Sequence, residues 1–406
     1  MHDLLHMIIM KKLYRNTERG CMTIYVVQTG DSVDSIASAY GISANSIIYN
    51  NQLAYPYRLA VGQALLLSSG ANSSERRNII AGGYAYPFIQ NFTLTETLPY
   101  LTDLFIFSYG FTADGELIPP QLDDTWMIEL AREKNTRPIL TLTPFGPDGR
   151  FSNYLINVLV NDLEVQQRLI DQLLETMRLK NYGGIDIDFE YILAEDRISF
   201  AEFVTRVRTA GNEAGYPVSV ALAPKTSDNQ PGLLYGGKDY ALLGEAANHV
   251  LLMTYEWGYT YGPPMAVAPI HKVREVVEYA LTRIPAEKIN LGIPNYGYDW
   301  PLPYEKGITA ARTISNTQAI EIAIDNNASI EFDPVSMSPH FTYEKDGIAH
   351  EVWFEDVRSL KEKFSLIEEY HLRGAGYWQV MNLFRANWLL LADTFYITKN
   401  PEDFSF

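Results

Sequence analysis

The stretch Gly183-Gly184-Ile185-Asp186-Ile187-Asp188-Phe189-Glu190 decides the fold and most of the chemistry of this chain. Apolar and acidic residues alternate strictly along it, and a period of two residues predicts a β-strand whose successive side chains lie on opposite faces. The three acids, Asp186, Asp188 and Glu190, therefore share one face, with neighbours about 6–7 Å apart at about 3.3 Å of rise per residue. The apolar residues share the other face.

The alternation alone also fits an exposed strand with a solvated acidic face. A calcium-binding loop is excluded, because Tyr191 stands where such a loop needs glycine and Arg197 where it needs glutamate. Several other short apolar strands separated by helical segments predict a parallel sheet that is buried on both sides. Three carboxylates facing into such a sheet are costly unless they share protons and hydrogen bonds, which favours a catalytic role.

Composition limits the classes of partner. The chain has 406 residues, enough for one large domain and one small one, and 47% of them are apolar. A formal net charge of −17 argues against nucleic acid and anionic membrane as partners. The aromatic content of 13% fits the stacking of rings on sugars. With Cys21 as the one cysteine and no zinc-binding histidine pattern, we expect no disulfide framework, no cysteine-based metal site and no zinc site.

Composition shifts divide the chain into four parts. Residues 1–21 read as a disordered tail or a misassigned start, because the basic residues follow the short apolar run, the reverse of a secretory signal peptide. Residues 22–69 form a small domain. Residues 70–76 are small and polar, as in a flexible linker, and residues 77–406 form the large domain.

The small domain is predicted to run strand, helix, helix, strand. Thr23–Val27 is the first strand, Asp31 or Ser32 caps the first helix, and Ala64–Leu67 is the last strand. The segments Tyr25-Val26-Val27-Gln28-Thr29-Gly30-Asp31-Ser32, Asn50-Asn51 and Leu59-Ala60-Val61-Gly62-Gln63-Ala64-Leu65 resemble a LysM domain. The resemblance implies binding of glycans that contain N-acetylglucosamine, with contacts from Gly30, Asp31, Ser32, Asn51 and Leu53.

The large domain carries strand candidates at regular intervals, with helical patterns between them. These candidates are Asn78–Tyr84, Leu104–Tyr109, Pro138–Thr143, Gly184–Glu190, Pro217–Ala223, Val250–Tyr255, Ile289–Pro294 and Gly374–Trp378. Eight such units predict an α/β fold, a closed (β/α)8 TIM barrel. The long interval before the last strand predicts a small α+β insertion near residues 300–350, including a hairpin that turns at Asp346-Gly347.

In such a barrel the active site lies at the carboxyl ends of the strands. Glu190 ends the fourth strand at the barrel mouth, and Asp188 and Asp186 lie progressively deeper. The other strand ends supply a mostly aromatic rim that suits a sugar chain, namely Tyr84, Tyr255, Glu256, Trp257, Asn295, Tyr296 and Trp378.

Gly184-Ile185-Asp186-Ile187-Asp188-Phe189-Glu190 resembles the catalytic motif of glycoside hydrolase family 18, Asp-Gly-x-Asp-x-Asp-x-Glu, with Gly183 in place of its first Asp. Met253-Thr254-Tyr255-Glu256-Trp257 resembles the motif of the sixth strand, and Trp378 matches the tryptophan under the N-acetyl sugar. The resemblance implies hydrolysis assisted by the substrate's own acetamide. In that scheme Glu190 is the acid–base, Asp188 and Tyr255 hold the acetamide, and Asp186 shares a proton with Asp188.

The combination of a LysM domain with this barrel resembles the spore cortex-lytic N-acetylglucosaminidases of endospore-forming bacteria. It implies a peptidoglycan substrate and a place in the spore coat or cortex, or at the cell wall. A chitinase or chito-oligosaccharide hydrolase is the alternative enzyme. A lectin that has lost catalysis is the alternative outside the enzymes, and the presence of both Glu190 and Asp188 argues against it.

Overall fold

A computed structural model describes residues 22–68, 76–145 and 149–399 of the chain. The predicted tail, residues 1–21, and residues 70–75 of the predicted linker lie outside these ranges. The described residues form a small N-terminal module, a barrel, and a sheet inserted between two strands of the barrel.

The N-terminal module pairs two antiparallel strands and packs two helices on them, which is the order predicted from the sequence. Its elements are β1 (Met22–Val26), α1 (Val33–Tyr40), α2 (Ala44–Asn50) and β2 (Ala64–Ser68). Ser32 caps α1 by accepting a hydrogen bond from the backbone N–H of Ser35, and Gly41 ends the helix in the left-handed region at φ 63°.

The rest of the chain alternates strands and helices. The strands are β3 (Asn78–Ala85), β4 (Asp103–Phe111), β5 (Leu117–Ile118), β6 (Arg137–Leu142), β7 (Gly184–Ile187), β8 (Val218–Leu222), β9 (His249–Leu252), β10 (Ile289–Pro294), β11 (Gly297–Pro301), β12 (Arg312–Ile314), β13 (Glu331–Asp333), β14 (Ser338–Lys345), β15 (Ile348–Trp353), β16 (Gly374–Trp378) and β17 (Tyr396–Ile397). The helices are α3 (Asn91–Thr97), α4 (Thr125–Glu133), α5 (Asn153–Asn161), α6 (Leu163–Lys180), α7 (Arg197–Glu213), α8 (Tyr240–Ala246), α9 (Ile270–Leu281), α10 (Asn316–Asp325), α11 (Val357–Glu369) and α12 (Arg385–Thr394). None of the helices in the described ranges is long and apolar enough to cross a membrane.

Eight of these strands form the closed parallel barrel that the sequence predicts. Their order around the barrel is β3, β4, β6, β7, β8, β9, β10 and β16, and β16 pairs with β3 to close the ring. Closure places every strand between two neighbours, so the barrel has no free edge. The carboxyl ends of all eight strands therefore open at the same mouth.

The fourth barrel strand is shorter than the sequence predicts. We expected it to run to Glu190, but regular pairing ends at Ile187, which lies opposite Val220 of β8. The Asp188 N–H still donates to Leu142 O at 2.9 Å, after which the chain leaves the sheet. Phe189 then turns outward into a stack with Phe200 and Phe203 of α7, so the alternation of faces continues although the pairing stops.

The insertion is a five-stranded antiparallel sheet in the order β12, β11, β15, β14, β13, with α10 packed against it. The predicted hairpin joins β14 to β15. Asp346 and Gly347 both have positive φ, 54° and 78°, as a two-residue turn between right-twisted strands requires. The insertion follows β10 directly, so it lies at the barrel mouth.

The N-terminal module is docked on both the barrel and the insertion. Arg385 of α12 donates its backbone N–H to Gln52 Oε1 at 2.6 Å and its guanidinium to Tyr49 O at 3.0 Å. On the other side, the Ile330 N–H before β13 donates to Val61 O at 2.8 Å. Contacts at two separate places fix the orientation of the module relative to the mouth.

The close approach at Gly62 gives a test of this docking. Gly62 has φ +83°, and a Cβ there would lie 1.8 Å from Ile330 O, whereas Gly30 has φ +88° with nothing within 4 Å of its Cβ position. Both Gly→Ala changes should cost about 1–2 kcal/mol for the left-handed backbone, but Gly62→Ala should cost more because it also pushes the insertion away. We expect calorimetry of Gly62→Ala to show a separate, earlier transition for the module. Equal losses and a single transition in both variants would contradict the docking.

Candidate active site

Asp186 lies at the bottom of the carboxylate face, inside the barrel. It is fully buried and accepts hydrogen bonds from Tyr84 Oη at 2.8 Å and Ser219 Oγ at 2.5 Å. Burial and the nearby Asp188 raise its pKa to about 7, although the two hydroxyl donors oppose the rise. Asp186 is therefore fixed in position and poised to gain or lose a proton near neutral pH.

Asp188 is the middle carboxylate, and its Oδ1 is buried without a hydrogen-bond partner in the described part of the chain. Burial and the charge of Glu190 raise the pKa of Asp188 to about 7. An unpartnered buried oxygen is costly in a folded protein, and this one lies on the carboxylate face between Asp186 and Glu190. Asp188 is thus placed to accept a hydrogen bond from a substrate donor.

Glu190 is half-buried where the chain leaves β7, at the barrel mouth. Burial raises the pKa of its carboxyl, with a smaller rise from Glu256, while Lys238 lowers it. A raised pKa keeps a carboxylic acid protonated at higher pH, which is what a general acid needs.

Tyr255 and Glu256 follow β9, two strands along the barrel from β7. Tyr255 is buried beside the carboxylate face, and its hydroxyl stays protonated because burial and the charges of Asp188 and Glu190 raise its pKa. Glu256 has φ 66° and accepts hydrogen bonds from Tyr296 Oη and, at 3.0 Å, from Tyr298 Oη. Two hydroxyl donors from the start of the insertion thus hold Glu256 in a single orientation.

Aromatic rings form the floor and one side of the mouth. The Trp378 ring lies 5.1 Å from Phe107, 5.7 Å from Tyr84 and 6.1 Å from Tyr86, measured between ring centroids. Tyr84 also stacks on Phe105 at 4.5 Å. The floor beside the carboxylates is therefore apolar and rigid, as a stacking surface for a sugar must be.

Two predicted rim residues have structural contacts. Asn295 donates its side-chain amide to Gln379 O at 3.1 Å and to Asn382 O at 2.9 Å, so it fixes the loop that follows Trp378. Trp257 is partly buried against the core, and its backbone N–H donates to Val267 O at 3.1 Å. Both residues shape the wall of the site.

The glycine that departs from the family motif has a local explanation. A Cβ at Gly183 would lie 2.5 Å from Arg137 Cγ, so the Arg137 side chain covers this position. Arg137 in turn makes a bidentate ion pair with Asp103 at 2.7 and 3.1 Å. The position of the first acid in the motif is thus covered by an arginine whose charge is paired with an acid on the neighbouring strand.

Sequence patterns did not point to several residues of the site: Tyr86, Phe107, Ser219, Lys238 and Tyr298. Ser219 stands in the polar position of Val218-Ser219-Val220, so the alternation of β8 could have placed it inside the barrel. Lys238 comes from a long loop with no periodic pattern. Nothing in the sequence alone brings it to the carboxylates.

The predicted glycan contacts of the N-terminal module lie in two loops, and most of their side chains are already hydrogen-bonded. Asp31 accepts from Tyr25 Oη at 2.6 Å, and Ser32 caps α1. The Asn51 side chain binds the backbone of Leu66 in both directions. Gly30 is exposed, whereas Leu53 packs against the core of the module.

A cleft of about 220 Å³ separates the second of these loops from α10. Its walls are residues 51–56 and Arg58 on one side and Thr317, Ile320 and Glu321 on the other. Tyr55 stands at its edge with 85% of its surface exposed. Within the described ranges, no three His, Cys, Asp or Glu side chains are grouped to hold a metal ion.

Comparison with known proteins gives the family. The model described as Glycosyl hydrolases family 18 matches residues 94–382, and the LysM domain model matches residues 25–68. The Cortical fragment-lytic enzyme of Bacillus subtilis is 38% identical over 93% of this chain and 99% of its own length. The crystal structure of the Bacillus cereus spore cortex-lytic enzyme SleL superimposes with a TM-score of 0.89 at 32% identity, covering 93% of this chain and 99% of that one. The Bacillus megaterium enzyme gives a TM-score of 0.88 at 34% identity, covering 94% and 100%.

The raised pKa values predict how stability changes with pH. Between about pH 4 and 7 the folded protein binds more protons at Asp186 and Asp188 than the unfolded chain does, so the free energy of unfolding should fall as pH rises. Asp188→Asn removes one of the two titrating carboxyls and, by removing its charge, lowers the pKa of Asp186. The free energy of unfolding of the variant should therefore fall less between pH 4.5 and pH 7.5 than that of the unsubstituted protein, by on the order of 1–3 kcal/mol. Urea unfolding at both pH values measures it, and a difference independent of pH would contradict the assignment.

Proposed function

The chain belongs to the glycosyl hydrolases of family 18, and on that premise we propose that it cleaves β-1,4 bonds next to N-acetylglucosamine in peptidoglycan of the bacterial spore cortex, with retention of configuration. Relatives similar over nearly the whole chain are named for lysis of cortical fragments. The LysM domain supports a substrate that contains N-acetylglucosamine. The protein acts as a glycosidase associated with the spore cortex.

The observation that carries this proposal is the buried, unpartnered Oδ1 of Asp188 between fixed Asp186 and the acid Glu190. An acetamide N–H of the substrate supplies the missing donor. A sugar without the N-acetyl group leaves that oxygen unsatisfied, and a site built to pair a substrate group rejects an analogue that lacks it. The site therefore selects N-acetylated sugars and does not act on cellulose.

The first chemical step breaks the glycosidic bond. The acetamide carbonyl oxygen attacks the anomeric carbon of its own sugar as Glu190 transfers its proton to the departing glycosidic oxygen. The new carbon–oxygen bond closes an oxazolinium ring, whose positive charge is stabilised by Asp188. The Tyr255 hydroxyl orients the acetamide, and the Trp378 ring supports the sugar from below.

The second step restores the enzyme. Glu190, now a carboxylate, takes a proton from a water molecule whose oxygen attacks the anomeric carbon. The bond between that carbon and the acetamide oxygen breaks, which reforms the acetamide. Two displacements at the same carbon leave its configuration unchanged.

The LysM domain holds the glycan near the mouth in this proposal. Because the domain is docked on α12 and on the insertion, a strand bound to it lies at a fixed distance from Glu190. The cleft beside α10 is smaller than the ~300–1,000 Å³ of a typical ligand pocket, which suits a single sugar unit. Tyr55 offers its exposed ring for stacking at the edge of that cleft.

Replacement of the acid tests the catalytic proposal. Glu190→Gln removes the transferable proton and keeps the shape, so turnover should fall by about 10²–10⁴-fold or more while glycan binding persists. Glu195→Gln, in the exposed part of the same loop, is the matched control and should keep full activity. Mass spectrometry of products from cortex fragments, vegetative peptidoglycan and chitin oligomers measures both.

Cortex products that carry N-acetylglucosamine at the new reducing end, absent with Glu190→Gln, are the expected result. Cleavage of chitin oligomers alone would replace the proposal with a chitinase. Binding without any product would show a lectin, and full turnover by Glu190→Gln would rule out the mechanism.

A change at Tyr55 tests the glycan contact of the LysM domain. We expect Tyr55→Ala in the Glu190→Gln background to weaken binding of cortex glycan by about 3- to 10-fold, the loss of one aromatic contact. Tyr154→Ala removes a comparably exposed ring from α5 and is the control. Isothermal titration calorimetry compares the two, and equal affinity in both variants would place the contact elsewhere.

A further inference from the structure

Lys238 is a buried cation without a role in the steps above. Its side chain is fully buried in the loop before α8, and its ammonium donates to Ala221 O of β8 at 2.6 Å. Strand β8 is the direct neighbour of β7, which carries Asp186. A buried ammonium is costly unless negative charge lies close to it, so the surroundings of Lys238 require an explanation.

The negative charge comes from the carboxylate face. The Lys238 ammonium donates to Ala221 O, two residues along β8 from Ser219, whose hydroxyl donates to Asp186. The ammonium also lies 5.6 Å from the centroid of the Phe200 ring of α7. Burial lowers the pKa of Lys238 to about 8, while Asp188, Glu190 and Asp186 act in the opposite direction. The buried ammonium therefore lies against the strand next to the one that carries Asp186, and its charge and the charges of the acids influence one another.

We infer that Lys238 is a positioning residue for the proposed reaction, the buried counter-charge that keeps Asp188 available as an anion beside Glu190. The inference rests on the proposed function for its kinetic consequences. Without the ammonium, three neighbouring carboxyls in a closed barrel would hold more protons, and Asp188 could not stabilise a positive oxazolinium ring. Lys238 acts through the acids and does not touch the substrate.

The loop that carries Lys238 is built to keep the ammonium in place. Lys225 donates through its ammonium to Asp228 O at 3.1 Å and to Lys238 O at 2.8 Å. A Cβ at Gly237 would lie 2.4 Å from Ile192, so the loop packs closely on the segment that follows Glu190. Lys225 and Lys238 thus both hold backbone carbonyls, but only the pKa of Lys238 responds to Asp186, Asp188 and Glu190.

Other titratable groups that face the three acids are Tyr84, Tyr86, Tyr255 and Glu256. The tyrosine hydroxyls stay protonated in the working range, because burial raises the pKa of each. Burial likewise raises the pKa of Glu256, which is held by Tyr296 and Tyr298. A shift in the titration of Asp188 and Glu190 on replacing Lys238 is therefore separable from these groups.

The test compares Lys238→Gln and Lys238→Met with Lys225→Met. Lys238→Gln keeps a hydrogen-bond donor for Ala221 O but removes the charge. Lys225→Met removes the hydrogen bonds from the Lys225 ammonium to backbone carbonyls of the same loop. The pH profile of kcat/KM on a soluble N-acetylglucosamine-containing oligosaccharide is measured for each. With the charge removed, the pKa values of Asp188 and Glu190 rise further. The acidic and the basic limb of the pH profile should therefore both move to higher pH, by about 1 unit or more.

We expect this shift in both Lys238 variants. In Lys225→Met the two limbs of the profile should stay at the same pH, even if kcat falls. The inference would be overturned if the pH profile of Lys238→Gln matched that of the unsubstituted protein, or if Lys225→Met showed an equal shift. Lys238 would then have only the structural role of holding its loop. If the unsubstituted protein hydrolyses none of these glycans, the proposed function fails separately. Urea unfolding then tests the inference. The free energy of unfolding falls over the pH range in which Asp186 and Asp188 lose their protons, and loss of Lys238 should move that range to higher pH. An unchanged range would overturn the inference.

Discussion

The whole structure depends on placing three carboxyl groups on one face of a chain segment in a closed barrel. Asp186 and Asp188 are buried there and Glu190 is half-buried at the mouth, so the surrounding elements must stabilise this face. Tyr84 from β3 and Ser219 from β8 donate hydrogen bonds to Asp186, and the buried ammonium of Lys238 lies against the neighbouring strand β8. One oxygen of Asp188 is left unsatisfied. In the proposed mechanism, a donor on the substrate satisfies that oxygen.

The added parts of the chain extend the same arrangement. The insertion begins at the mouth and its first strand supplies Tyr298, which donates a hydrogen bond to Glu256 after β9. Its helix α10 then forms one side of the cleft beside the LysM domain. The N-terminal module and the insertion are thus joined to the barrel and to each other by direct contacts.

The sequence predicted most where apolar residues recur at a short, regular interval and are buried in the fold. The alternation at Asp186, Asp188 and Glu190 predicted one shared face, and regular strand spacing predicted the barrel. The end of β7 was predicted three residues too late, because alternation of side chains continues past the last paired residue, Ile187. Lys238 could not be predicted, since its loop has no period and only the fold brings it to the acids. Likewise, the residues around Asn295 in the sequence do not indicate that its side-chain amide donates to backbone carbonyls after Trp378.

In the proposed mechanism Asp188 accepts a hydrogen bond from the acetamide of the substrate. The most direct measurement is the affinity of a thiazoline derivative of N-acetylglucosamine, in which the acetamide is already closed onto the anomeric carbon as in the oxazolinium ion. Calorimetry should show tight binding to the unsubstituted protein and a loss of about 10²-fold or more with Asp188→Asn, as expected for a mimic of a transition state. Equal affinity in the two proteins would contradict the account, because the buried oxygen of Asp188 would then have no part in recognising the reacting sugar.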